Sequence, residues 1–84
     1  MSADDRLASR IGDALRRRVE SADRADVQTS EWHGRWQARA HVYAPGGSVS
    51  WGPSATHRTK RDALRALAAL ARIPDEELTE EPTP

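Results

Sequence analysis

The most constraining feature of this sequence is a strict alternation of apolar and polar side chains over residues 36–44. The small or apolar set is Trp36, Ala38, Ala40, Val42 and Ala44, and the other set is Gln37, Arg39, His41 and Tyr43. Because successive side chains of a β-strand point to opposite faces of its sheet, this period of two predicts a half-buried strand. The alanines on the inward face predict that a helix packs closely against it.

Two weaker strand patterns flank this segment, at residues 27–32 and 48–51. Turn-forming residues at 33–34 and 45–47 separate them from the central strand, so each neighbouring pair is expected to form a hairpin. Gly52-Pro53 is expected to end the third strand, with a loop after it, because proline has no N–H to donate to a sheet. The sequence therefore predicts a three-stranded antiparallel sheet.

Helical periodicity occurs on both sides of the strands. Near the start of the chain, apolar residues recur every four positions, at Leu7, Ile11, Leu15 and Val19. This spacing predicts an amphipathic helix over residues 3–22, capped by Ser2. A second apolar stripe follows Thr59, a good N-cap, and Pro74 is expected to end that helix. The predicted fold class is α+β in the order α-β-β-β-α, with the sheet packed against the C-terminal helix and an additional N-terminal helix.

Length and composition limit the size of the core. Residues 1–73 are expected to form a single domain, and residues 74–84, acidic and proline-containing, a disordered tail in which Leu78 packs down. Alanine supplies 14 of the hydrophobic residues and phenylalanine is absent, so the core is expected to be lean. A homodimer that buries more apolar surface is an alternative. Without cysteine, a leader-like start or a membrane-length apolar run, the chain is expected in the cytoplasm, with no membrane partner.

Charge is distributed unevenly along a chain whose formal net charge is zero. All 13 basic residues but only 8 of the 13 acidic ones lie within residues 1–73. From Trp32 to Arg61 inclusive there is no acidic residue, whereas five basic ones occur. Such a segment favours a polyanionic partner, although acids on the helices could equally balance it. The acidic tail is expected to compete with polyanions for this basic region.

No arrangement of catalytic residues is recognisable in the sequence. His33, His41 and His57 lack the spacing of a helical metal-binding pair, and His41 is expected to be a surface residue on the sheet. Neither a nucleophile elbow nor a phosphate-binding glycine loop is present. We therefore expect a protein that is not an enzyme and holds no metal or cofactor.

The three tryptophans differ in their expected environments. Trp36 and Trp51 fall on the inward faces of their strands and are expected in the core. Trp32 falls opposite to the parity of Val27 and Thr29, so it is expected to point outward as a stacking or anchoring side chain, unless a bulge turns it inward. An outward Trp32, or the first helix, would suit a protein partner.

Three motifs occur in order along the chain: GRWQARA at residues 34–40, PGG at 45–47 and TKRDALRAL at 59–67. Together they resemble the arm-type DNA-binding domain of phage-type tyrosine recombinases, with a similarity that spans residues 27–71. The resemblance implies that the exposed sheet face enters the DNA major groove, with contacts from Arg39 and also Gln37, His41 and Arg35. The long first helix and the Trp51-Gly52-Pro53 segment depart from the family pattern. Since no recombinase catalytic domain is recognisable, a stand-alone binder or accessory factor is expected.

The order α-β-β-β-α also resembles the double-stranded RNA-binding domain. In that family the basic start of the second helix contacts phosphates by shape, which implies a role here for Lys60 and Arg61, with Arg58 beside them. A third interpretation is a protein-interaction module, such as a small phage or regulatory factor, which the neutral net charge and lean core favour. Duplex DNA is favoured over RNA as the expected partner, and a nucleic-acid-binding module over the protein-interaction one.

Overall fold

A computed structural model of the protein describes residues 2–19, 23–46 and 49–78, and for residues 49–53 the backbone only. The elements follow the predicted order, with one short helix added at the end. They are α1 (Ala3–Arg18), β1 (Arg24–Trp32), β2 (Arg35–Tyr43), β3 (Val49–His57), α2 (Lys60–Leu70) and α3 (Asp75–Leu78). The strands form one antiparallel sheet in the order β1-β2-β3, so the α+β class is confirmed. None of the described helices is long and apolar enough to cross a membrane.

Helix α1 begins as its sequence predicts. The Ser2 hydroxyl accepts from the Asp5 backbone N–H at 3.1 Å, and the Asp5 carboxylate accepts from the Ser2 N–H at 3.4 Å, which satisfies two otherwise unpaired N–H groups. The helix ends at Arg18, however, and Val19 is extended, so the predicted end at residue 22 is wrong. The chain must turn early because the Asp23 N–H already donates to the Tyr43 carbonyl at 2.7 Å.

Gly12 lets α1 approach the edge of the sheet. A Cβ atom at this position would lie 3.0 Å from the carbonyl oxygen of Ala25 in β1. Backbone atoms cannot swing aside as a flexible side chain can, so a Cβ atom here would require α1 or β1 to shift by a few tenths of an ångström. The glycine therefore weakens the helix locally but permits the close packing of α1 on β1.

The central strand β2 is buried on the face that the alternation predicts. Ala38 and Ala40 are almost fully buried, and Trp36 packs at the margin of the same core. Ile11, Leu64 and Leu67, all from the helices, are the largest fully buried side chains among the described residues. Both α1 and α2 pack on this one face, and alanines supply much of the sheet's share of the core. The expectation for Trp51 concerns a side chain outside those that the structure describes.

Strand β3 continues through Gly52-Pro53 to His57, so the predicted strand end and the loop at 54–58 are wrong. A register shift accommodates the proline. Arg39 pairs with Ser54 and His41 with Trp51, so the two residues Gly52 and Pro53 lie opposite one residue of β2. This is the geometry of a β-bulge, and on an edge strand it tolerates a residue that cannot donate to the ladder.

Helix α2 begins at its predicted cap, where the Thr59 hydroxyl accepts from the Asp62 N–H at 3.1 Å. It ends at Leu70, before Pro74. Two hydrogen bonds close the end, from the Ile73 N–H to the Ala68 carbonyl and from the Arg72 N–H to the Ala69 carbonyl. Arg72 is left-handed with φ 58°, and Ile73 is buried, which together form a Schellman motif. The helix end is therefore set by this motif and not by proline.

The acidic segment after Pro74 is partly structured. Asp75–Leu78 forms α3, and Leu78 packs against the core as expected. Residues 79–84 lie outside the described residues, so disorder of the tail beyond α3 stays a prediction.

Candidate nucleic-acid interface

One side of the sheet, which we call the open face, is not covered by any described helix. Residues directly opposite each other in antiparallel strands share a face, so the register defines its members. They are Arg24, Asp26, Gln28, Ser30 and Trp32 of β1, Arg35, Gln37, Arg39, His41 and Tyr43 of β2, and Ser54 and Thr56 of β3. The set is polar and aromatic, in contrast to the alanine-lined face beneath the helices.

Arg39 lies at the centre of this face. Its register partners are Gln28 on one side and Ser54 on the other, and the next row is Ser30, Gln37 and Thr56. Arg39 and its two partners are exposed, whereas Gln37 is half-buried. The register partners of Arg39 and the residues of the next row are therefore uncharged side chains that can both donate and accept hydrogen bonds.

The open face carries a positive balance. Among its described members Asp26 is the one carboxylate, and it lies 3.6 Å from the Arg24 guanidinium. Arg24 also stacks on the Tyr43 ring, with its Cζ 4.4 Å from the ring centroid. The charges of Arg24 and Asp26 cancel at one end of the face. The net positive charge of the remaining open face therefore comes from Arg35 and Arg39.

His41 differs from its predicted exposed position. It lies on the same face of β2 as Arg39, but its side chain is only 7% exposed. It belongs to the middle strand, immediately beyond the bulge, with Asp26 and Trp51 as register partners on the two sides. The prediction of a surface histidine is wrong because alternation gives the face of a residue but not how far its neighbours cover it. A buried imidazole offers little contact area to a large ligand.

Trp32 and Arg35 mark the other end of the open face. They are direct register partners across a two-residue turn, in which His33 has φ 50° and Gly34 has φ 74°. Positive φ at both central residues is what a type I′ hairpin turn requires, and histidine is one of the residues that tolerate it. Trp32 is 75% exposed, so its predicted outward orientation is confirmed.

Two adjacent depressions occupy the face between these ends. One, of about 340 Å³, lies over the middle of β1 and β2 and includes Gln28, Gln37 and Arg39 in its lining. The other, also about 340 Å³, lies beside the Trp32 ring and includes Arg35, Gln37 and Thr56. Gln37 lines both, so the two depressions adjoin each other along the central strand.

The basic start of α2 is separate from the open face and is already ion-paired. Lys60 Nζ lies 3.4 Å from an Asp5 carboxylate oxygen, and Arg61 Nε lies 3.1 Å from one of Asp4. The Lys60 ammonium also lies 5.6 Å from the centroid of the Trp36 ring. The cluster of two cations and two anions is electrically neutral. Arg58, in the short connection before α2, is exposed.

The described part of the acidic segment contacts α1 and not the open face. Glu77 accepts from Arg17 Nη2 at 3.1 Å and from Arg18 Nη1 at 3.0 Å, and its second oxygen accepts from Arg18 Nη2. Hydrogen bonds from Arg18 and then Arg17 lower the pKa of Glu77 to about 2. Glu77 thus pairs with α1, and competition of the acidic tail with polyanions for the basic region stays a prediction.

Sequence reasoning placed Arg35, Gln37 and Arg39 correctly on one face but missed their neighbours on β3. Ser54 and Thr56 were assigned to a loop, although the alternation of Ser54, Ala55 and Thr56 was a usable strand signal. Within the described part of the chain, no group of three or more acidic or histidine side chains is close enough to hold a metal ion.

Comparison with known proteins gives no further assignment. The chain matches no protein-family model, and neither a curated protein nor a solved structure is significantly similar to it.

Proposed function

We propose that this chain is a small non-enzymatic module that binds duplex DNA through the open face of its sheet. The observation that carries the proposal is the row of Arg35, Gln37 and Arg39 along the central strand, on a face whose one described carboxylate, Asp26, is held by Arg24. Arginine suits the O6 and N7 acceptors of guanine or a phosphate, and glutamine suits the N6 and N7 atoms of adenine. The resemblance of residues 34–40 to the arm-type DNA-binding domains points to the same surface.

The dimensions of the open face suit a DNA groove. Neighbouring strands lie about 4.8 Å apart, so the backbone of three strands spans about 10 Å, against a major-groove width of about 12 Å. The register partners of Arg39 at the centre of the face, Gln28 and Ser54, are uncharged side chains. Strands inserted into a groove are an established mode of DNA reading.

The alternative site at the start of α2 is less well supported. A phosphate there would have to break the Lys60 and Arg61 ion pairs with Asp5 and Asp4, in a cluster with no net charge. Exposed pairs of this kind are individually weak, so they can be displaced, but they cancel the long-range attraction that brings a polyanion to a surface. Double-stranded RNA bound through α2 is therefore the second candidate.

The two candidates make opposite predictions for single variants. Arg39→Ala should weaken binding to duplex DNA by about 1–3 kcal/mol, because it removes the central cation of the open face. Arg65→Ala is the matched control, since it removes the same charge from an exposed position of α2. Fluorescence anisotropy with labelled duplexes, repeated at several salt concentrations, measures both.

The double variant of Lys60 and Arg61 to alanine completes the comparison. Under the proposal it binds DNA nearly as well as the wild type. A large loss for this variant on duplex RNA, with a silent Arg39→Ala, would instead favour the RNA-binding interpretation. If neither variant changes binding to either duplex, the nucleic-acid proposal fails and a protein-interaction module, engaging Trp32 or α1, becomes the better account.

A further inference from the structure

Trp32 is a large aromatic side chain that the proposed contacts of Arg35, Gln37 and Arg39 with a groove do not use. It is 75% exposed and lies at the end of the open face, beside the depression that includes Arg35, Gln37 and Thr56 in its lining. Its ring is oriented by His33, whose ring meets it edge-on with centroids 4.9 Å apart and planes at 88°. One broad ring face can thus remain open to a ligand.

The backbone beneath Trp32 is well defined. A two-residue turn with positive φ at His33 and Gly34 joins β1 to β2 and fixes Trp32 directly opposite Arg35. The hairpin therefore fixes the backbone positions from which an aromatic side chain and a guanidinium extend on adjacent strands.

We infer that this end of the open face binds one unpaired nucleobase next to the duplex, with the base stacked on Trp32. The inference rests on the proposed DNA-binding function and adds a subsite to it. The depression has a volume of about 340 Å³, at the lower end of the range of roughly 300–1,000 Å³ for small-molecule sites. Gln37 and Thr56 offer hydrogen-bonding groups to a base edge, and Arg35 offers a cation to the adjoining phosphate.

An unpaired base fits this site better than a paired one does. Within a duplex both faces of each base are covered by its neighbours, so away from the duplex ends an exposed indole can stack only on a base that has left the helix, as in an overhang, gap or bulge. Stacking of this kind changes affinity by about 5- to 150-fold per base. The preferred substrate would then be a duplex with a single-stranded extension.

The test compares three DNA ligands that share one duplex: blunt-ended, with a short overhang, and with the same overhang made of abasic nucleotides. The abasic overhang keeps the added phosphates and removes only the bases. Wild-type protein should bind the base-bearing overhang at least about fivefold more tightly than the abasic one. Trp32→Ala should abolish that difference, whereas Trp32→Phe should retain part of it.

Leu70→Ala is the control, because Leu70 is the other large apolar side chain exposed among the described residues, at 58%, and lies in the helix layer. It should keep the wild-type preference. Equal affinity for the two overhangs, or a preference that survives in Trp32→Ala, would overturn the subsite while Arg39-dependent binding of the blunt duplex still stood. Failure to bind the blunt duplex would instead refute the proposed function. In that case the base site would still be supported if single-stranded DNA quenched the tryptophan fluorescence of the wild type but not that of Trp32→Ala.

Discussion

Gly12 illustrates how one residue can oppose its own helix and still stabilise the fold. In an isolated helix, Gly→Ala adds about 1 kcal/mol of stability. Here the added Cβ would lie 3.0 Å from the Ala25 carbonyl oxygen, a backbone atom that only a shift of α1 or β1 can relieve. We expect Gly12→Ala to lower the free energy of unfolding, as measured by urea titration.

The control for this prediction is Ser9→Ala, at an exposed position of the same helix. It should be neutral or slightly stabilising, since alanine is the better helix former and no backbone atom opposes it. If Gly12→Ala stabilised the protein as much as Ser9→Ala does, the close approach of α1 to β1 would not be as described.

Arg72 is a second position where the backbone conformation disagrees with the residue. It adopts φ 58° at the end of α2, a conformation that costs a non-glycine residue about 1 kcal/mol or slightly more. Arg72→Gly should therefore raise the thermal midpoint, because glycine adopts this conformation without strain. Arg65→Gly, at an exposed position in the middle of the same helix, should lower the thermal midpoint, because glycine there costs a similar free energy. Two variants that moved the midpoint in the same direction would contradict this account of the helix end.

At the residue scale, the sequence predicted which face of the sheet a side chain lies on but not how deeply that side chain is buried. Alternation placed Arg39 and Trp32 outward and Ala38 inward, as observed. It also placed His41 outward as a surface residue, but this side chain is only 7% exposed. How far neighbours cover a side chain depends on register and bulges, which no local pattern reports.

At the scale of elements, α3 is attached to α1 by ion pairs that depend on pH. The pKa of Glu77 in the folded protein is about 2, against an ordinary value of 4.5, because Arg18 and Arg17 hydrogen-bond its charged form. A lowered pKa means that the stabilising contribution is fully present above about pH 4.5 and is lost as the pH falls toward 2. The difference in thermal midpoint between wild type and Glu77→Gln should therefore shrink across this interval.

Glu76→Gln is the matched control, since Glu76 is the exposed neighbour in the same helix. It should change the midpoint less at neutral pH. A gap between wild type and Glu77→Gln that stayed constant from pH 6 to pH 2 would show that the carboxylate is not held by the two arginines.

Element ends proved harder to predict than element types. The capping residues Ser2 and Thr59 gave the starts of α1 and α2, because their hydrogen bonds are local and visible in sequence. The end of α2 could not be read from Pro74, since a non-glycine residue, Arg72, takes the left-handed position earlier. Pro53 did not end β3, because a bulge on an edge strand absorbs it, and bulges leave little trace in a single sequence.

At the scale of the whole molecule, the fold divides the sheet into two chemically different faces. The helices supply the large core side chains, such as Leu64 and Leu67, and the sheet supplies alanines beneath them. The other face keeps the polar and basic residues of β2. This division was predictable from alternation alone. The ion pairs that neutralise Lys60 and Arg61 join residues more than fifty positions apart, so only the tertiary structure could separate the two basic groups.

Because the core contains few large apolar side chains, a homodimer stays a prediction for this protein. Burial at this chain length stabilises a domain only modestly, and a homodimer would add apolar burial. Exposed Leu70 and Trp32 lie on different layers of the molecule, and the two positions would give distinct interfaces.

Binding through the open face can be mapped by an amide chemical-shift titration of isotope-labelled protein with a blunt DNA duplex at low salt. We expect the largest shifts in β2 at Gln37 and Arg39, smaller ones at Gln28 and Ser30 across the β1 register, and little change around Ala63 in α2. Shifts confined to α1 and the start of α2, or none at all, would contradict binding through the open face.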